Sequence, residues 1–525
     1  MANWRTVPRP RRHRLAFAAA LVTTLLALTG YAASKPRPTL LALTGYAASK
    51  PRPTPLPRDA VIITVPRATA GVSGRLIPAG FLGLSLENSA IIPYAGRGPH
   101  RVDPVFEQLI RNLTAAQSPV LRIGGDSTDW AWYPVPGLTK PNGVRVTLTR
   151  RWLAVMHALA SDLNARLIMG IDLEADSRAA ADDEASAFER GIGTGRIEAL
   201  ELGNEPNLYG SLTWYVLPDG RHVFGRPPGY DFQSFLGDFS AFAKALPGPL
   251  AGPATGATGW MADTGRFLAA EPRVKLVTVH AYPLQTCDVP HSSPLFPTVS
   301  HLLAPQATTG LADGVAVAVA LAHSRQEPVR VDEMNTDSCG AAPGVSNAFV
   351  SALWALDALF EMARVGVDGV NLHTYPGATY ELFKITHTAR KWRAWVSPEY
   401  YGLLMFAQAA PPGSRLISTT TTNAQGVTVW ATRGRKGRVR VVLINGSPDR
   451  RTVSLSPGAD RPATLERLRA PGLTSTAGVS LGGQSFGRRT TTGRLAGRSS
   501  IARLRSGHGR YLFTLPAESA ALVTF

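Results

Sequence analysis

Eight short apolar runs, separated by amphipathic stretches, span the middle of the 525-residue chain. The predicted strands are 81–86, 120–123, 166–171, 199–202, 250–251, 275–279, 329–331 and 369–372, of which the fifth is weak. Strand-like runs that alternate with helical patterns, such as those at 151–163 and 348–364, are typical of βα units around a parallel sheet. Eight such units predict an α/β fold of the (β/α)8, or TIM barrel, type.

Polar residues cluster directly after these predicted strands. The clusters lie at 87–88, 124–126, 204–205, 280–282, 333–335 and 373–375. A barrel builds its functional site at the C-terminal ends of its strands, where the loops converge on one face. The pattern therefore predicts one polar site assembled from several strands.

The predicted barrel occupies residues 81–410, and the pattern changes after it. Short β runs at 427–431, 439–444, 452–455 and 520–525 are separated by Gly, Pro, Asn and Asp. This spacing favours an all-β sandwich over residues 411–525. A further β-rich run at 61–65 lies in the segment 58–80, which we expect to join that accessory domain.

Residues 1–57 have the pattern of an export signal followed by a linker. An arginine-rich start precedes an apolar stretch at 15–28 and the small residues at 32–34. The segment 25–39 recurs without change at 40–54, and the Pro-rich stretch 35–57 favours an extended linker. We expect a secreted, extracellular protein that contacts a membrane only if its signal segment stays uncleaved.

The net charge of +18 raises the question of a nucleic-acid partner. The basic residues are mostly Arg, concentrated in the first 15 residues and between 433 and 510. They form no stripe interleaved with aromatic residues and no nucleic-acid motif. We therefore expect no nucleic-acid partner. Compositional bias would explain the excess of arginine, and an anionic substrate or surface is the alternative explanation.

Two glutamates at the predicted mouth fit the requirements of retaining glycoside hydrolysis. That reaction needs two carboxyl groups roughly 5–5.5 Å apart, one as general acid/base and one as nucleophile. Glu205 follows the fourth predicted strand and Glu333 follows the seventh. Strands four and seven lie across a barrel mouth from each other, so carboxyls far apart in sequence can meet over one bond. We predict that Glu205 is the general acid/base and Glu333 the nucleophile.

The surrounding motifs carry a family resemblance. Asn-Glu-Pro at 204–206, with a glutamate after strand seven, resembles the retaining glycosidases of clan A. LRIGGDSTD at 121–129 and ELGNEPN at 201–207 resemble glycoside hydrolase family 79, which holds β-glucuronidases and heparanases. GVSLGGQSF at 478–486 is similar to the β-domain of that family, so the resemblance runs from about 81 to 525.

The resemblance implies roles for further residues around the two glutamates. Asn204 matches the asparagine that hydrogen-bonds the sugar 2-hydroxyl. Tyr282 matches a tyrosine beside the nucleophile, where its hydroxyl would help keep the carboxylate ionised. Glu87 and Asp126 match polar positions that contact sugar hydroxyls, with surface or helix-capping roles as the alternative.

The resemblance also implies a pocket for a uronic carboxylate. Gly340 lies in the turn after the nucleophile and matches a backbone donor, although Cys339 stands where some relatives have glycine. Tyr380 matches a second tyrosine of that pocket, with rim packing as its alternative role. An arginine would suit the carboxylate, but the sequence singles none out.

Cys287 and Cys339 follow the neighbouring strands six and seven. We predict a disulfide between them that links two loops at the mouth, with free buried thiols as the alternative. His280 and His373 have no further ligands at metal spacing, so we expect no metal and no cofactor.

The sequence thus predicts a retaining β-glucuronidase, similar to heparanase, that acts through a covalent glycosyl-enzyme. Its partner would be an oligosaccharide, polysaccharide or glycoconjugate that contains terminal or internal β-linked glucuronic acid. Two alternatives remain open. One is a clan A glycosidase acting on neutral sugars or arabinofuranosides, and the other is a non-catalytic carbohydrate-binding protein.

Overall fold

The computed structural model describes residues 56–66, 74–114, 117–388, 391–457 and 461–525. The expected signal segment and the duplicated stretch lie outside these residues. Within these ranges, no helix combines the length and the apolar character that crossing a bilayer requires.

A closed barrel of eight parallel strands forms the centre of the fold. In chain order, the strands are Leu82–Glu87, Val120–Gly124, Arg166–Ile171, Ile197–Leu202, Leu250–Thr255, Val274–Ala281, Val329–Met334 and Gly369–Thr374. Consecutive strands pair in parallel, and the eighth strand closes the barrel on the first through the Val370–Leu82 register. The predicted (β/α)8 fold class is therefore confirmed.

Helices pack against the outside of the barrel through their apolar residues, and the helix Phe349–Val365 is buried along most of its length. The helix Arg150–Leu163 begins at Thr149, whose side chain accepts a hydrogen bond from the Trp152 backbone N–H, and it ends at Asn164 in a left-handed conformation. The other helices are Ile91–Ala95, Pro104–Thr114, Arg178–Phe188, Phe232–Ala243, Thr258–Met261, Thr264–Ala270, Val299–Leu302, Thr309–His323, Phe349–Val365 and Pro398–Ala409.

The fifth barrel strand is longer than its weak sequence signal suggests. Leu250–Thr255 is buried along its whole length, although it contains Gly252 and Pro253. Proline removes a ladder hydrogen bond, and the pairing with the sixth strand is irregular between Pro253 and Thr255. The surrounding barrel overrides the low strand propensity of this segment.

The C-terminal β-domain consists of two sheets that enclose an apolar layer. One sheet contains Thr420–Thr422, Val61–Thr64, Arg451–Ser456 and Tyr511–Leu515 in that order. The other contains Arg75–Leu76, Arg415–Leu416, Val427–Arg433, Val439–Asn445, Ser519–Thr524, Ala463–Arg469 and Ser480–Leu481, with Ala502–Leu504 beside Ala463–Arg469. The remaining strands form short two-stranded sheets. These pair Ala131–Trp132 with Val146–Thr147, Thr213–Val216 with His222–Phe224, Leu284–Gln285 with Asp337–Ser338, and Phe383–Thr388 with Lys391–Val396.

The strand Val439–Asn445 joins the β-domain to the barrel because both of its faces are covered. Val441 and Leu443 point into the apolar layer of the β-domain, whereas Val442 and Ile444 belong to the barrel core. Because successive side chains of a strand point to opposite faces, a strand that is covered on both faces requires apolar residues at consecutive positions.

Trp430 reinforces the same contact. Its ring stacks on the buried Phe360 with centroids 5.5 Å apart, and its indole N–H donates to Asp357 Oδ1 over 2.6 Å. We expect Trp430→Ala to lower the free energy of unfolding by about 3 kcal/mol. Trp430→Phe, which keeps an aromatic ring, should cost about 1 kcal/mol.

Urea denaturation of the two variants and of Leu512→Ala, a change at an exposed β-domain position, measures this contact. Leu512→Ala should stay within about 0.5 kcal/mol of the wild type. Equal losses for Trp430→Ala and Leu512→Ala would contradict the interface role of Trp430.

Candidate active site

Arg122 occupies the centre of the barrel mouth. It lies on the second strand, and its side chain is fully buried. Its Nε donates to Glu201 Oε2 over 2.7 Å, its Nη1 to Glu333 Oε2 over 2.5 Å, and its Nη2 to Asn204 Oδ1 over 2.8 Å. Nη1 also lies 3.3 Å from the Ser85 hydroxyl. One guanidinium therefore connects residues of the first, second, fourth and seventh strands.

The acidic neighbours of Arg122 keep it charged inside the barrel. Burial alone would lower its pKa, but the charges of Glu201, Asp332 and Glu333 raise the pKa well above the ordinary arginine value. Burial and the charge of Glu201 raise the pKa of Asp332. The acidic groups around Arg122 therefore compensate for the burial of its charge.

Glu333 is held as a carboxylate. Its Oε1 accepts a 2.8 Å hydrogen bond from the Tyr282 hydroxyl, while its Oε2 accepts from Arg122. Burial opposes ionisation, but the charges of His373, His280 and Arg122, together with the Tyr282 hydrogen bond, lower the Glu333 pKa below its ordinary value. The buried carboxylate is therefore ionised and has a hydrogen bond on each oxygen.

Glu205 has different surroundings, just beyond the end of the fourth strand. Its side chain is 25% exposed, and its Oε1 lies 3.0 Å from His280 Nδ1. Its backbone is left-handed, with φ of 47°, and its N–H donates to the Ala254 carbonyl over 2.9 Å. That conformation is unfavourable for a side-chain-bearing residue, so the contact with the fifth strand helps to maintain it.

Asn204 lies between the two glutamates. Its backbone N–H donates to Asp129 Oδ2 over 3.0 Å, and Asp129 also accepts a 2.7 Å hydrogen bond from the Tyr209 hydroxyl. Since the side-chain oxygen of Asn204 accepts from Arg122, its amide N–H2 is the group that can donate to a ligand.

Glu87 and His373 form the neighbouring wall. Glu87 Oε2 accepts from the Ser127 backbone N–H over 2.8 Å, and its Oε1 lies 3.4 Å from His373 Nε2. Asp126 lies beside them, and its residue surface is exposed. Desolvation of its carboxyl, followed by the charges of Glu87, Glu333 and Glu205, raises the pKa of Asp126 above its ordinary value. This wall therefore offers two carboxyl groups and the His373 ring to a polar ligand.

Tyr380 and Gly340 lie in adjacent loops. Tyr380 is buried in a small cluster with Ala341 and Ala378, and Tyr282 packs against the same cluster. The Gly340 carbonyl accepts from the Thr379 backbone N–H over 3.4 Å. The exposed Gly340 has φ of 93°, and a Cβ built there would meet nothing within 4 Å, so it is backbone conformation rather than crowding that favours glycine.

Cys287 and Cys339 form a disulfide with their Cα atoms 5.9 Å apart. The bond links the loops that follow the sixth and seventh strands. The short pair Leu284–Gln285 with Asp337–Ser338 joins the same loops, and the Thr286 hydroxyl donates to Asp337 over 2.9 Å. These contacts fix the loop that carries Gly340.

The barrel mouth brings together all the glutamates, tyrosines and polar residues predicted from the sequence, and it adds two groups that sequence reasoning missed. These two groups are Arg122 and Asp129, of which Asp129 anchors Asn204. Both lie in the motif at 121–129, but the sequence alone assigned a role to neither. A charged residue between Leu121 and Ile123 in an apolar strand was the available signal, because such a side chain must find partners inside the barrel.

We expect Arg122→Met to destabilise the protein by about 3–5 kcal/mol near neutral pH, because it leaves buried carboxylates without their cation. The loss should shrink on acidification. In the variant, the folded-state pKa values of Glu201 and Glu333 rise, so protonation relieves their repulsion. In the wild type, the lowered pKa of Glu333 stabilises the folded state at pH values above about 4.5, the pKa of a glutamate in the unfolded chain. This stabilisation is lost as the pH falls from that value toward the pKa of Glu333 in the folded state.

Thermal and urea unfolding at about pH 7 and about pH 5 test this expectation. The control is Arg221→Met, which breaks the exposed ion pair with Asp219 and should leave the free energy of unfolding nearly unchanged at either pH. A loss for Arg122→Met that grows on acidification would contradict the assigned charges.

The disulfide is tested by intact mass. We expect the reduced and unreduced proteins to differ by the mass of two hydrogen atoms, and the cysteines to resist alkylation until a reductant is added. Alkylation of both Cys287 and Cys339 in the unreduced, exported protein would rule the bond out.

Comparisons with known proteins point to one family. Residues 429–522 match the sequence model described as "Glycosyl hydrolase family 79 C-terminal beta domain". A β-glucuronidase from Neurospora crassa is 22% identical over 389 residues, a span of 66% of this chain and 66% of that protein.

Solved structures share the fold. A 4-O-α-L-rhamnosyl-β-D-glucuronidase from Fusarium oxysporum 12S superposes with a TM-score of 0.66 at 21% identity, covering 88% of this chain and all of that one. A family 51 arabinofuranosidase from Xanthomonas axonopodis pv. citri superposes with a TM-score of 0.61 at 14% identity, over 89% of this chain and 99% of that one. The C-terminal domain thus matches family 79, and together with the aligned relative and the shared barrel fold it supports the prediction of a clan A glycoside hydrolase similar to that family.

Proposed function

We propose that the protein is a retaining β-glucuronidase in which Glu333 is the nucleophile and Glu205 the general acid/base. In the first step, a carboxylate oxygen of Glu333 attacks the anomeric carbon while Glu205 gives its proton to the glycosidic oxygen. The leaving alcohol departs, and a covalent glycosyl-enzyme remains. In the second step, Glu205 takes a proton from water, whose oxygen attacks the anomeric carbon and frees Glu333.

The contrast between the two carboxyl environments carries this proposal. Glu333 is buried, ionised and bonded to Arg122 and Tyr282, which suits a nucleophile that must be charged before the reaction. Glu205 is partly exposed and contacts His280, which leaves it open to the leaving group and to water. Arg122 bonds both Glu333 and Asn204, the residue before Glu205, so the two carboxyls belong to one hydrogen-bonded site.

Asn204, Glu87 and Asp126 are proposed to hold sugar hydroxyls. The Asn204 amide would donate to the 2-hydroxyl beside the anomeric carbon, where hydrogen bonds strengthen as the transition state forms. Glu87 is held by Ser127 and His373, which orients its carboxyl toward the same space. Tyr282 is proposed to keep Glu333 ionised and aligned.

A glucuronide is the proposed substrate class. The aligned relative is named a β-glucuronidase, and the superposed Fusarium enzyme is titled a rhamnosyl-glucuronidase. Gly340 and Tyr380 lie in adjacent loops beside Tyr282, which is consistent with a carboxylate pocket next to the nucleophile. We further propose that the protein is exported and meets glucuronic-acid-containing glycans outside the cell, in keeping with its leader pattern and its disulfide.

A panel of 4-nitrophenyl glycosides tests the proposal. We expect hydrolysis of the β-glucuronide with retention at the anomeric carbon, followed by NMR. Glu333→Gln should lower kcat by about four orders of magnitude. Glu205→Gln should lose most activity on poor leaving groups and keep more of it on activated phenols, which need less acid assistance.

Glu466→Gln is the matched control. Glu466 lies on the strand Ala463–Arg469 of the β-domain, outside the barrel mouth, and burial raises the pKa of its carboxyl. Its activity should stay within about twofold of the wild type. Hydrolysis of neutral glycosides or arabinofuranosides alone would overturn the substrate class, and folded protein without turnover would favour a carbohydrate-binding protein.

A further inference from the structure

The basic residues of the chain are concentrated in the β-domain. Residues 433–510 contain 17 Lys and Arg and only three Asp and Glu, whereas residues 81–410 contain 25 Lys and Arg and 32 Asp and Glu. A general bias toward arginine would give both parts an excess of basic over acidic residues. The excess is instead confined to the β-domain, which indicates a local role for it.

The arginines of the two parts also differ in their partners. On the barrel surface, Arg166, Arg221 and Arg364 each lie next to a carboxylate, at 2.8, 2.8 and 2.6 Å. Between 433 and 510, no basic side chain forms an ion pair with another residue of the described ranges. These charges are therefore free to attract an external anion.

Several of these arginines lie on one face of the larger sheet of the β-domain. Directly paired residues of neighbouring strands share a face. Arg440 is paired with Thr524, which is paired with Thr464. Thr464 is in turn paired with Arg503, so Arg440 and Arg503 lie three strand spacings, or about 14 Å, apart. Together with Arg505, which lines the same groove as Thr464 and Arg503, these residues form what we call the arginine row.

An open groove of about 610 Å³ lies at the Arg503 end of the arginine row. Its described lining includes the exposed side chains of Arg461, Arg503 and Arg505 and contains no acidic residue. Thr464 and Ser506 also line it, and their hydroxyls can both donate and accept hydrogen bonds. The groove therefore offers guanidinium groups to anions and hydroxyls to neutral polar groups.

The guanidinium groups of the arginine row lack protein partners. None of them makes a hydrogen bond to another residue of the described chain. Burial, followed by the charge of the exposed Arg438, lowers the pKa of Arg440, so its nearest charged neighbour adds repulsion. Glu466, the acidic residue on the same strand as Thr464, is half-buried, and burial raises the pKa of its carboxyl. An anion bound to the row would therefore relieve the repulsion between like charges.

An anionic polysaccharide fits this surface better than a nucleic acid does. Carboxylates recur along such a polymer and bind arginine bidentately, and its hydroxyls match those of Thr464 and Thr524. The row contains no aromatic residue, so it offers no platform on which bases could stack. It also lies on the face of a sheet, whereas a helix or a two-stranded ribbon enters the groove of duplex DNA.

We propose that the arginine row is a docking surface for an anionic polysaccharide that contains uronic acid, outside the active site. The choice of a polysaccharide rests on the proposed glycosidase function, but the binding itself requires no turnover. The β-domain then holds the enzyme on a polymer while the barrel acts on its glucuronic acid residues.

Fluorescence anisotropy of labelled polygalacturonate, with labelled dextran as the neutral probe, tests the proposal on the whole chain near neutral pH. The wild type should bind polygalacturonate and not dextran, and added salt should weaken the binding because it screens exposed charges. The triple variant Arg440→Ser, Arg503→Ser and Arg505→Ser should bind at least about tenfold more weakly. Replacement of the same three arginines by Lys, which keeps the charge, should restore most of the loss.

The matched control combines Arg178→Ser, Lys244→Ser and Arg325→Ser. These barrel residues are exposed and form no ion pair with a described residue, and their replacement removes the same net charge. The control should bind polygalacturonate within about twofold of the wild type. The single variant Arg503→Ser, at an exposed position, should bind about threefold more weakly and provides a second measurement if the triple variant folds poorly.

The outcomes separate the docking surface from the proposed function. Absence of polygalacturonate binding, or equal losses in the row and control variants, overturns the docking surface and leaves the glycosidase proposal intact. Tighter binding of duplex DNA than of polygalacturonate through the same arginines overturns the choice of a polysaccharide. Absence of activity on every glycoside of the panel overturns the proposed function, whereas polymer binding that depends on the row still supports the docking surface.

Discussion

The buried guanidinium of Arg122 is the interaction on which the barrel mouth depends. A buried cation is stable only when anionic groups compensate its charge, and buried carboxylates likewise require a nearby cation. Arg122 and its partners Glu201, Glu333 and Asn204 satisfy both conditions at once. The ends of the second, fourth and seventh strands are thereby held together by charge as well as by backbone pairing, and this arrangement sets the geometry of the mouth.

The same cluster separates the surroundings of the two proposed catalytic glutamates. Glu333 bonds Arg122 directly and is stabilised as an anion, whereas the carboxyl of Glu205 contacts His280, on a left-handed backbone that the fifth strand supports at Ala254. Two identical side chains thus acquire different chemical character from position alone. The Cys287–Cys339 disulfide then fixes the loops next to the nucleophile.

Much of the fold could be predicted from the sequence, because hydrophobic periodicity is a local property. The eight apolar runs correspond to the eight barrel strands, and the cluster around Glu205 lies after the fourth. The fifth strand was nearly missed, since Gly252 and Pro253 weaken its local signal and only the neighbouring strands make it extended. The site was less predictable. Arg122 and Asp129 were overlooked because their partners come from distant parts of the chain.

The sequence by itself predicted the barrel, an accessory β-domain and two candidate glutamates, because strand periodicity, turn residues and short motifs are local properties of the chain. The tertiary structure alone decided which groups touch. It joined Arg122 to Glu333, 211 positions away, and it placed His280 beside Glu205. The physical reason is that ionisation and hydrogen-bond satisfaction depend on distance in space and on burial, and neither is encoded by spacing along the chain.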